Sequence, residues 1–388
     1  MVRSEEREIF SDKINSLTKS QLWEMGISRV SDVTGLDIIG SHTYSSVRPL
    51  SVNISVNSGK SLNPRMARAG AILESAEYYA GECPSGETIE SSVSQLGYPK
   101  IDCFSLPLIS HSIFHQDMVI EWEVATEIVS GSNRLVPSEI CWLVPRGNKF
   151  IAHFQNSSNG VASGCSIPDA ICSGIYEIIE RDARTISEYC ESNKRVVNIP
   201  DSIQELKNKA TKSGLRVGLF SCTQEDIGIP VFGCVVYGDE AGVYAGHGCH
   251  IDPVKSMERA VLEAYQSRCV FISGSRDDLF RRSFLVARNT SPKKIDDLMN
   301  GMPEDLNEYV SPKEMETSDE MKSISKSVID AGFKEIYVKH LKTIEVGDNA
   351  IPVVKVFVPG MESIRMDGIW SPSPRCLKKK SLYTSGQA

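Results

Sequence analysis

The chain has 388 residues, which is enough for two or three domains or for one large composite domain. Its apolar content of 41% and charged content of 24% are typical of a globular protein. The formal net charge of -8 argues against a general nucleic-acid binder, which needs a basic face, but it leaves room for a local basic pocket that binds phosphates.

The N-terminal residues Met1–Glu8 are charged and contain no apolar stretch typical of a signal peptide. No apolar run reaches the roughly 18 residues that a membrane span needs. The eleven cysteines include no Cys-x-x-Cys pair, and many lie in apolar segments, which favours reduced, buried thiols over disulfides or a zinc site. We therefore predict a cytoplasmic protein with no nucleic-acid or membrane partner.

In the first half of the chain, helical and extended patterns alternate. The pattern predicts helices over residues 13–26, 63–80 and 167–190, and extended segments over 46–57, 118–128 and 149–155. In the second half, residues 202–236 and 319–358 form a faint repeat of helix, strand, polar loop and strand. Two such units predict an α+β fold with mixed, largely antiparallel sheets packed by helices.

Between the two repeats, a further helix is predicted over residues 253–273, and the polar residues 284–318 are predicted to form a surface loop. Composition suggests three parts of the chain. These are an N-terminal helical and extended segment over 1–45, a catalytic domain of composite subdomains over 46–377, and a flexible tail over 378–388.

Two of the predicted helices carry the same acidic motif, and each follows a turn of small residues. On a helix, positions i and i+3 share a face, so each helix presents two carboxylates side by side. Four converging carboxylates suit Mg²⁺, which takes oxygen ligands and bridges to phosphates; one such pair alone would be typical of a solvated helix face. The pairs are Glu74 with Glu77, after the turn Ser58–Ser61, and Glu177 with Glu180, after the turn Ser163–Ser166.

Basic residues lie near these motifs and on the helix over 253–273. Arginine offers phosphate oxygens a fork of donors that lysine cannot copy. Together with the four carboxylates, Lys60, Arg181 and Arg268 predict a nucleoside triphosphate site. The chain has no Walker loop and no Gly-x-Gly-x-x-Gly before a helix, so this site is of neither the P-loop nor the Rossmann type.

A series of short motifs follows in a specific order along the chain. They are Arg29–Asp37, Val47–Pro49, Ser58–Lys60, Ser158–Gly164, Glu177–Ala183, His250–Pro253, Arg259–Arg268, Gly274–Asp278 and Val358–Glu362. No single motif is decisive, but the ordered set resembles the YcaO family, the ATP-dependent enzymes that activate peptide backbone amides.

The resemblance implies a YcaO-type ATP-binding fold with ATP and Mg²⁺ as cofactors. It implies that the metal ligands are Glu74, Glu77, Glu177 and Glu180. It implies that the cofactor-binding residues are Ser58, Lys60, Ser163, Arg181, Gln266 and Arg268. It implies catalytic roles for Arg181, Arg268 and Glu263.

The implied reaction starts with attack of a nucleophile on an amide carbonyl of a peptide or protein substrate. ATP then phosphorylates the oxyanion, and phosphate leaves. The polar, basic tail after Pro374 and the Arg29–Asp37 segment favour the stand-alone branch that forms thioamides, whose members often work with a TfuA-like partner that delivers sulfur. A homodimer is left open.

Two alternatives to thioamide formation remain. The first is azoline formation by cyclodehydration of Cys, Ser or Thr in a ribosomal precursor peptide. The second is an inactive scaffold that binds a leader peptide, because Gly70 and Cys165 stand where many relatives have Ser and Asn. The complete carboxylate set argues for an active enzyme.

Overall fold

The computed structural model describes residues 3–146, 152–238, 242–279, 281–290, 295, 298–366 and 368–385. Its helices are α1 (Arg3–Asn15), α2 (Lys19–Glu24), α3 (Pro64–Gly81), α4 (Ile167–Cys190), α5 (Asp201–Lys212), α6 (Pro253–Ser273), α7 (Arg281–Asn289), α8 (Thr317–Asp330) and α9 (Pro374–Thr384). None of the helices described is both long and apolar enough to cross a membrane.

The strands complete the set of regular elements. They are β1 (Arg29–Asp32), β2 (Thr43–Val47), β3 (Val56–Lys60), β4 (Ile89–Ser92), β5 (Val119–Glu127), β6 (Asn133–Pro137), β7 (Val161–Ser163), β8 (Lys194–Val197), β9 (Arg216–Ser221), β10 (Val231–Tyr237), β11 (Tyr244–Cys249), β12 (Pro303–Asp305), β13 (Tyr337–Val346) and β14 (Asn349–Phe357).

The chain forms two compact units, each built from two separate stretches of sequence. The first unit comprises Met1–Ser75 and Glu191–Met315, and the second comprises Ala76–Cys190 and Glu316–Ala388. The division falls inside α3. It is a different partition from the composition-based one, which places its boundaries after residues 45 and 377.

The first unit contains two sheets. Strands β1, β2 and β3 form an antiparallel sheet, and five strands form a second sheet in the order β11-β10-β9-β8-β12, in which only β8 and β12 run parallel. Helix α6 packs on β10 and β11. The core between them is apolar and includes Phe232, Met257, Val261 and Tyr265.

The second unit is built on one antiparallel sheet in the order β4-β5-β13-β14-β7, with β6 paired to β5. Helix α4 packs on β14 and β7 and also contacts α8 and α9. Its buried face carries Ile175, Ile178 and Ile179 at helical spacing, while Glu177 and Glu180 are only partly buried.

The predicted repeat is present once in each unit. Helix α5 with β9 and β10 forms the first copy, and α8 with β13 and β14 forms the second; in both copies the two strands pair antiparallel. The predicted α+β class with largely antiparallel sheets is confirmed. The predicted burial of most cysteines is also confirmed, since all of the eleven except Cys83 and Cys165 are buried.

Two predicted elements near the N-terminus are wrong. Residues 13–26 are not one helix, because Thr18 caps α2 in a capping box with Gln21 and separates it from α1. Residues 46–57 are not one extended segment, because β2 and β3 pair as a hairpin. Leu50 and Val52 lie in the connection, where 83% and 72% of their surfaces are exposed, so their alternating pattern does not mark a buried strand face.

The polar excursion and the tail also hold more structure than composition suggests. Helix α7 and strand β12 lie in or at the edge of the 284–318 segment, and β12 pairs with β8. Most of the tail that was expected to be flexible is helical, as part of α9, whose Cys376 is fully buried against Ile186 and Cys190 of α4. Part of the predicted 149–155 strand lies outside the described residues.

Candidate functional site

The first small-residue turn is the end of β3, and it touches α3 directly in the first unit. A Cβ on Gly59 would lie 2.0 Å from the Ala67 carbonyl oxygen, so only glycine allows this approach. The Ser58 backbone N–H donates to Glu74 Oε2 at 2.6 Å. Ser58 Oγ is buried without a hydrogen-bond partner. This hydrogen bond joins the end of β3 to the helix that carries the first acidic pair.

Helix α6 brings two further predicted residues to the same strand end. Lys60 Nζ lies 2.7 Å from Glu263 Oε2, and 27% of each side chain is exposed. The His247 backbone N–H donates to the other oxygen, Glu263 Oε1, at 3.4 Å. Gln266 is partly buried and lies three residues after Glu263, on the same face of α6. Lys60 and Glu263 thus meet as an ion pair, with Gln266 on the neighbouring turn.

Arg268 is placed in the interior of the first unit. Its Nε donates to Asp37 Oδ1 at 2.9 Å, and the two side chains are only 3% and 4% exposed. Its guanidinium also lies 5.9 Å from the centre of the Tyr244 ring. A buried arginine needs such a partner, because an unpaired buried charge is costly. The predicted phosphate contact of Arg268 stays a prediction, and the structure adds Asp37, which the sequence analysis did not single out as a site residue.

The second small-residue turn lies in the second unit, at the end of β7. The Ser163 backbone N–H and Oγ–H both donate to Glu77 Oε1, at 2.7 and 2.8 Å. A Cβ on Gly164 would lie 2.5 Å from the Ala170 backbone nitrogen, so this turn packs tightly against the start of α4. Cys165, one of the two departures from the family pattern, donates its backbone N–H to Asp169 Oδ2 at 3.0 Å.

On α4, the acidic pair is accompanied by a basic residue. Arg181 lies 3.5 Å from Glu177 at the i, i+4 spacing, and about a quarter of each side chain is exposed. Burial raises the pKa of Glu177, while the positive charges of Arg181 and Lys355 oppose that rise. Glu180 shares the face of Glu177 and is partly buried. Burial favours the neutral form of this carboxyl group, so a nearby cation stabilises its ionised form.

Lys355 is a functional candidate that the sequence analysis missed. It lies on β14, it is 4% exposed, and its Nζ donates to the Ser157 carbonyl oxygen. Burial lowers its pKa to about 8, while the charge of Glu177 acts in the opposite direction. The available signal was a single lysine inside the apolar run Ile351–Val358. Buried lysines are rare unless they are paired or functional.

The chemistry of the predicted metal ligands fits Mg²⁺. Glu74 and Glu77 offer carboxylate oxygens and are each held in place by a backbone N–H, and Ser58 Oγ beside Glu74 lacks a partner. Taken unit by unit, the described residues contain no group of three or more His, Cys, Asp and Glu side chains arranged as a metal site. The assignment of all four glutamates to one metal centre therefore stays a prediction.

Comparison with known proteins identifies sequence relatives along most of the chain. A family model described as YcaO cyclodehydratase, ATP- and Mg²⁺-binding, matches residues 58–362. An uncharacterized protein of Methanothermobacter thermautotrophicus is 29% identical over 94% of this chain and 95% of its own length. A protein of Rhizobium leguminosarum bv. trifolii, described as lying in a tfuA 3′ region, is 28% identical over 89% of this chain and 86% of its own length.

Solved structures match the fold. YcaO from Methanopyrus kandleri, bound with AMPPCP and Mg²⁺, has a TM-score of 0.74 at 18% identity and covers 95% of both chains. A heterocyclase in complex with substrate and cofactor has a TM-score of 0.72 at 20% identity, and the match covers 87% of this chain and 50% of the heterocyclase. The E. coli microcin synthetase McbBCD complex has a TM-score of 0.64 at 15% identity. The TM-scores show that these proteins share the fold of this chain.

Proposed function

Because the chain belongs to the YcaO family, whose members bind ATP and Mg²⁺, we propose that it activates a backbone amide of a peptide or protein for thioamide formation. The activation is phosphorylation of the amide oxygen by ATP. An amide oxygen is a poor leaving group, and a phosphate is a good one. The observation that carries the choice of thioamide formation is the tfuA 3′ region relative, which aligns with 89% of this chain.

The proposed reaction balances with sulfide as the nucleophile. Sulfide attacks the carbonyl carbon and forms a C–S bond, and the carbonyl oxygen becomes an oxyanion. The oxyanion takes the γ-phosphoryl group of ATP, and ADP is released. Loss of phosphate, together with the former carbonyl oxygen and the sulfur-bound proton, leaves a thioamide. A TfuA-like partner is the proposed source of the sulfide.

The residues divide between binding the metal and binding the nucleotide. Mg²⁺ neutralises charge on the triphosphate, and carboxylates are its natural protein ligands. Arginine forks suit the phosphate oxygens. In the proposal the metal ligands are Glu74, Glu77, Glu177 and Glu180. The nucleotide contacts are Ser58, Lys60, Ser163, Arg181, Gln266 and Arg268, with Glu263 placed beside Lys60 as a further catalytic group.

Azoline formation is the second candidate function. It is favoured by the family model, which is described as a cyclodehydratase, and by the fold shared with a heterocyclase and with microcin synthetase. In this reaction the nucleophile is a Cys, Ser or Thr side chain of the substrate itself. The activated amide oxygen again leaves as phosphate, but the product has lost the elements of water.

Mass spectrometry separates the two candidates by the sign of the mass change. The full-length protein is incubated with ATP, Mg²⁺, sulfide and a synthetic peptide library that contains Gly, Cys, Ser and Thr, with and without a TfuA-like protein. Replacement of oxygen by sulfur raises the peptide mass, and loss of water lowers it. A product that depends on sulfide and is heavier supports thioamide formation. A lighter product that needs no sulfide overturns it in favour of cyclodehydration.

A further inference from the structure

The side of α4 that faces away from Glu180 carries a carboxylate with no role in the proposed reaction. Asp182 follows Glu180 by two residues, and at about 3.6 residues per turn the two side chains lie on nearly opposite sides of the helix. The Asp182 side chain is fully buried, with 0% of its surface exposed. A buried carboxylate is costly unless cations and hydrogen-bond donors surround it. The partners of Asp182 therefore help to fix how α4 lies in the second unit.

Both carboxylate oxygens of Asp182 have partners in the C-terminal part of this unit. Oδ1 accepts from the backbone N–H of Glu362 at 2.8 Å, and Oδ2 lies 3.0 Å from Nη1 of Arg375. The buried side chain of Glu362 accepts from Trp370 Nε1 at 3.0 Å and from the Ser373 backbone N–H at 2.7 Å. Ser373 caps α9, the helix that carries Arg375. These contacts close a ring that runs from α4 through Glu362 to α9 and back to α4.

Further contacts join α4 to the same C-terminal segment, closer to the end of the helix. Thr185 Oγ1 donates to the Ser363 carbonyl oxygen at 2.8 Å, and Lys380 Nζ donates to the Tyr189 carbonyl oxygen at 3.0 Å. The apolar contact between α9 and α4 lies in the same stretch. The C-terminal segment thus holds residues 182–190 of α4, and this stretch begins directly after Arg181.

We infer that Arg375 is a positioning residue for nucleotide binding, which it affects through Asp182. The ring restricts rotation of α4 about its axis, and that rotation decides where Glu177, Glu180 and Arg181 point. Such placement matters, because a shift of about 1 Å in an active site can lower a rate about a hundredfold. The inference rests on the site residues of the proposed function, but it holds for a thioamide and for an azoline product alike.

A purely structural role of Arg375 is the alternative, because breaking a buried ion pair also destabilises a fold. The two roles differ in their effect on protein that is fully folded. A structural contact changes the melting temperature alone. A positioning contact also changes the affinity for AMPPCP with Mg²⁺, measured well below the melting temperature.

Four variants of the full-length protein separate these roles. Arg375→Met removes the charge and keeps an apolar side chain near Phe333, whose ring centre lies 5.3 Å from the guanidinium. Arg375→Lys keeps the charge, and Lys378→Met, at an exposed position on the same helix, controls for the loss of one positive charge. Asp182→Asn combined with Arg375→Met removes the buried charge that the single variant leaves unpaired. Its asparagine oxygen is still able to accept from the Glu362 N–H.

The affinity for AMPPCP with Mg²⁺ is measured by calorimetry at a temperature at which circular dichroism shows each variant to be folded. Arg375→Met should bind about tenfold more weakly than the wild-type protein. Arg375→Lys should bind more tightly than Arg375→Met, and Lys378→Met should match the wild-type protein. The double variant should melt at a higher temperature than Arg375→Met and still bind weakly.

Two results overturn the inference. One is wild-type affinity in folded Arg375→Met, and the other is wild-type affinity in the double variant, which also decides the matter if Arg375→Met does not fold. Failure of the wild-type protein to bind AMPPCP is a different result, because it overturns the proposed nucleotide site and this inference with it.

Discussion

Glu74 and Glu77 lie almost one turn apart on α3, yet each is held by the end of a different strand. Ser58 of β3 donates to Glu74, and Ser163 of β7 donates to Glu77. A hydrogen bond from a backbone N–H favours the ionised carboxylate and fixes its orientation. This is what a metal ligand requires before the metal binds, because a pre-oriented carboxylate loses less conformational entropy on binding.

Glu74→Gln tests the metal assignment with little change in shape. The glutamine oxygen can still accept from the Ser58 N–H, so the melting temperature should change by only a few degrees. The negative charge is lost, and the affinity for AMPPCP in the presence of Mg²⁺ should fall about tenfold or more. Calorimetry gives both the affinity and its dependence on Mg²⁺. Glu87→Gln, at an exposed position, is the control; equal affinity in both variants would remove Glu74 from the metal site.

His250 is a buried histidine at the start of α6. It is 6% exposed, and its Nδ1 accepts from the backbone N–H of Asp252, the residue that caps α6. Burial, reinforced by nearby positive charges such as that of Arg259, lowers its pKa from 6.5 to about 2. Accepting at Nδ1 suits a neutral ring. The histidine of the family-like His250–Pro253 motif thus holds the start of a helix.

The lowered pKa of His250 predicts a loss of stability in acid. Below pH 6.5 the unfolded chain binds a proton at this residue that the folded chain does not. The free energy of unfolding therefore falls as the pH falls, by up to about 1.4 kcal/mol per pH unit from this group, and the contribution is constant above pH 6.5. Urea unfolding of wild type and His250→Asn, at neutral pH and at about pH 5, checks this. Parallel pH dependences in the two proteins would contradict it.

At the scale of elements, close contact between a strand end and a helix recurs in the candidate site. β3 meets α3 through Gly59, and the turn after β7 meets α4 through Gly164. In each case a side chain would collide with helix backbone, which cannot move aside as a flexible side chain would. The glycines therefore set how near each turn lies to the helix that carries the acidic pair.

Two glycines at the same contact make a matched pair of variants. A Cβ on Gly59 would lie 2.0 Å from the backbone of Ala67, whereas a Cβ on Gly70 would meet only the Gly59 Cα at 3.6 Å. Gly59→Ala should therefore destabilise the protein by about 3 kcal/mol, as expected for overpacking. Gly70→Ala should stabilise it by up to about 1 kcal/mol, because alanine favours the helix. Chemical unfolding measures both; similar losses in the two variants would contradict this account of the contact.

The elements that were predicted well are those with local signals. Helices α4 and α6 have the predicted limits, since each starts near a proline and keeps one apolar face. The hairpin of β2 and β3 was missed, because exposed Leu50 and Val52 imitate a strand pattern. The docking of α9 was missed as well, because it depends on Cys376 meeting α4, which lies about 190 residues earlier in the sequence.

At the scale of the whole molecule, distance along the sequence again separates the parts of the candidate site that were predicted from those that were not. The two turns and the two glutamate pairs were visible, because each turn precedes its acidic helix in the sequence. Lys355 was not, because β14 comes to lie beside β7 and the Ser157 carbonyl oxygen only in the folded sheet. The pairing of Asp37 with Arg268 joins residues that are 231 positions apart. Such contacts carry no local signal.

The proposed function assigns phosphate contacts to residues of both units, and paired lysine substitutions test that assignment. Arg268→Lys in the first unit and Arg181→Lys in the second should each lower the rate of ATP consumption about tenfold or more, since lysine keeps the charge but loses the fork. Their stabilities should differ. Arg268 is buried against Asp37, so its variant should also melt at a lower temperature, whereas Arg181 is partly exposed and its variant should not.

Arg184→Lys is the matched control, because Arg184 lies on α4 close to Arg181 and pairs with Glu188 at the surface. It should keep both the rate and the melting temperature of the wild-type protein. If Arg268→Lys melts early but consumes ATP at the normal rate, Arg268 serves only the core of its unit. If Arg181→Lys matches Arg184→Lys in every measurement, the second unit contributes no arginine to the phosphates at this position. Losses of rate in both variants, with a loss of stability only in Arg268→Lys, are the expected result.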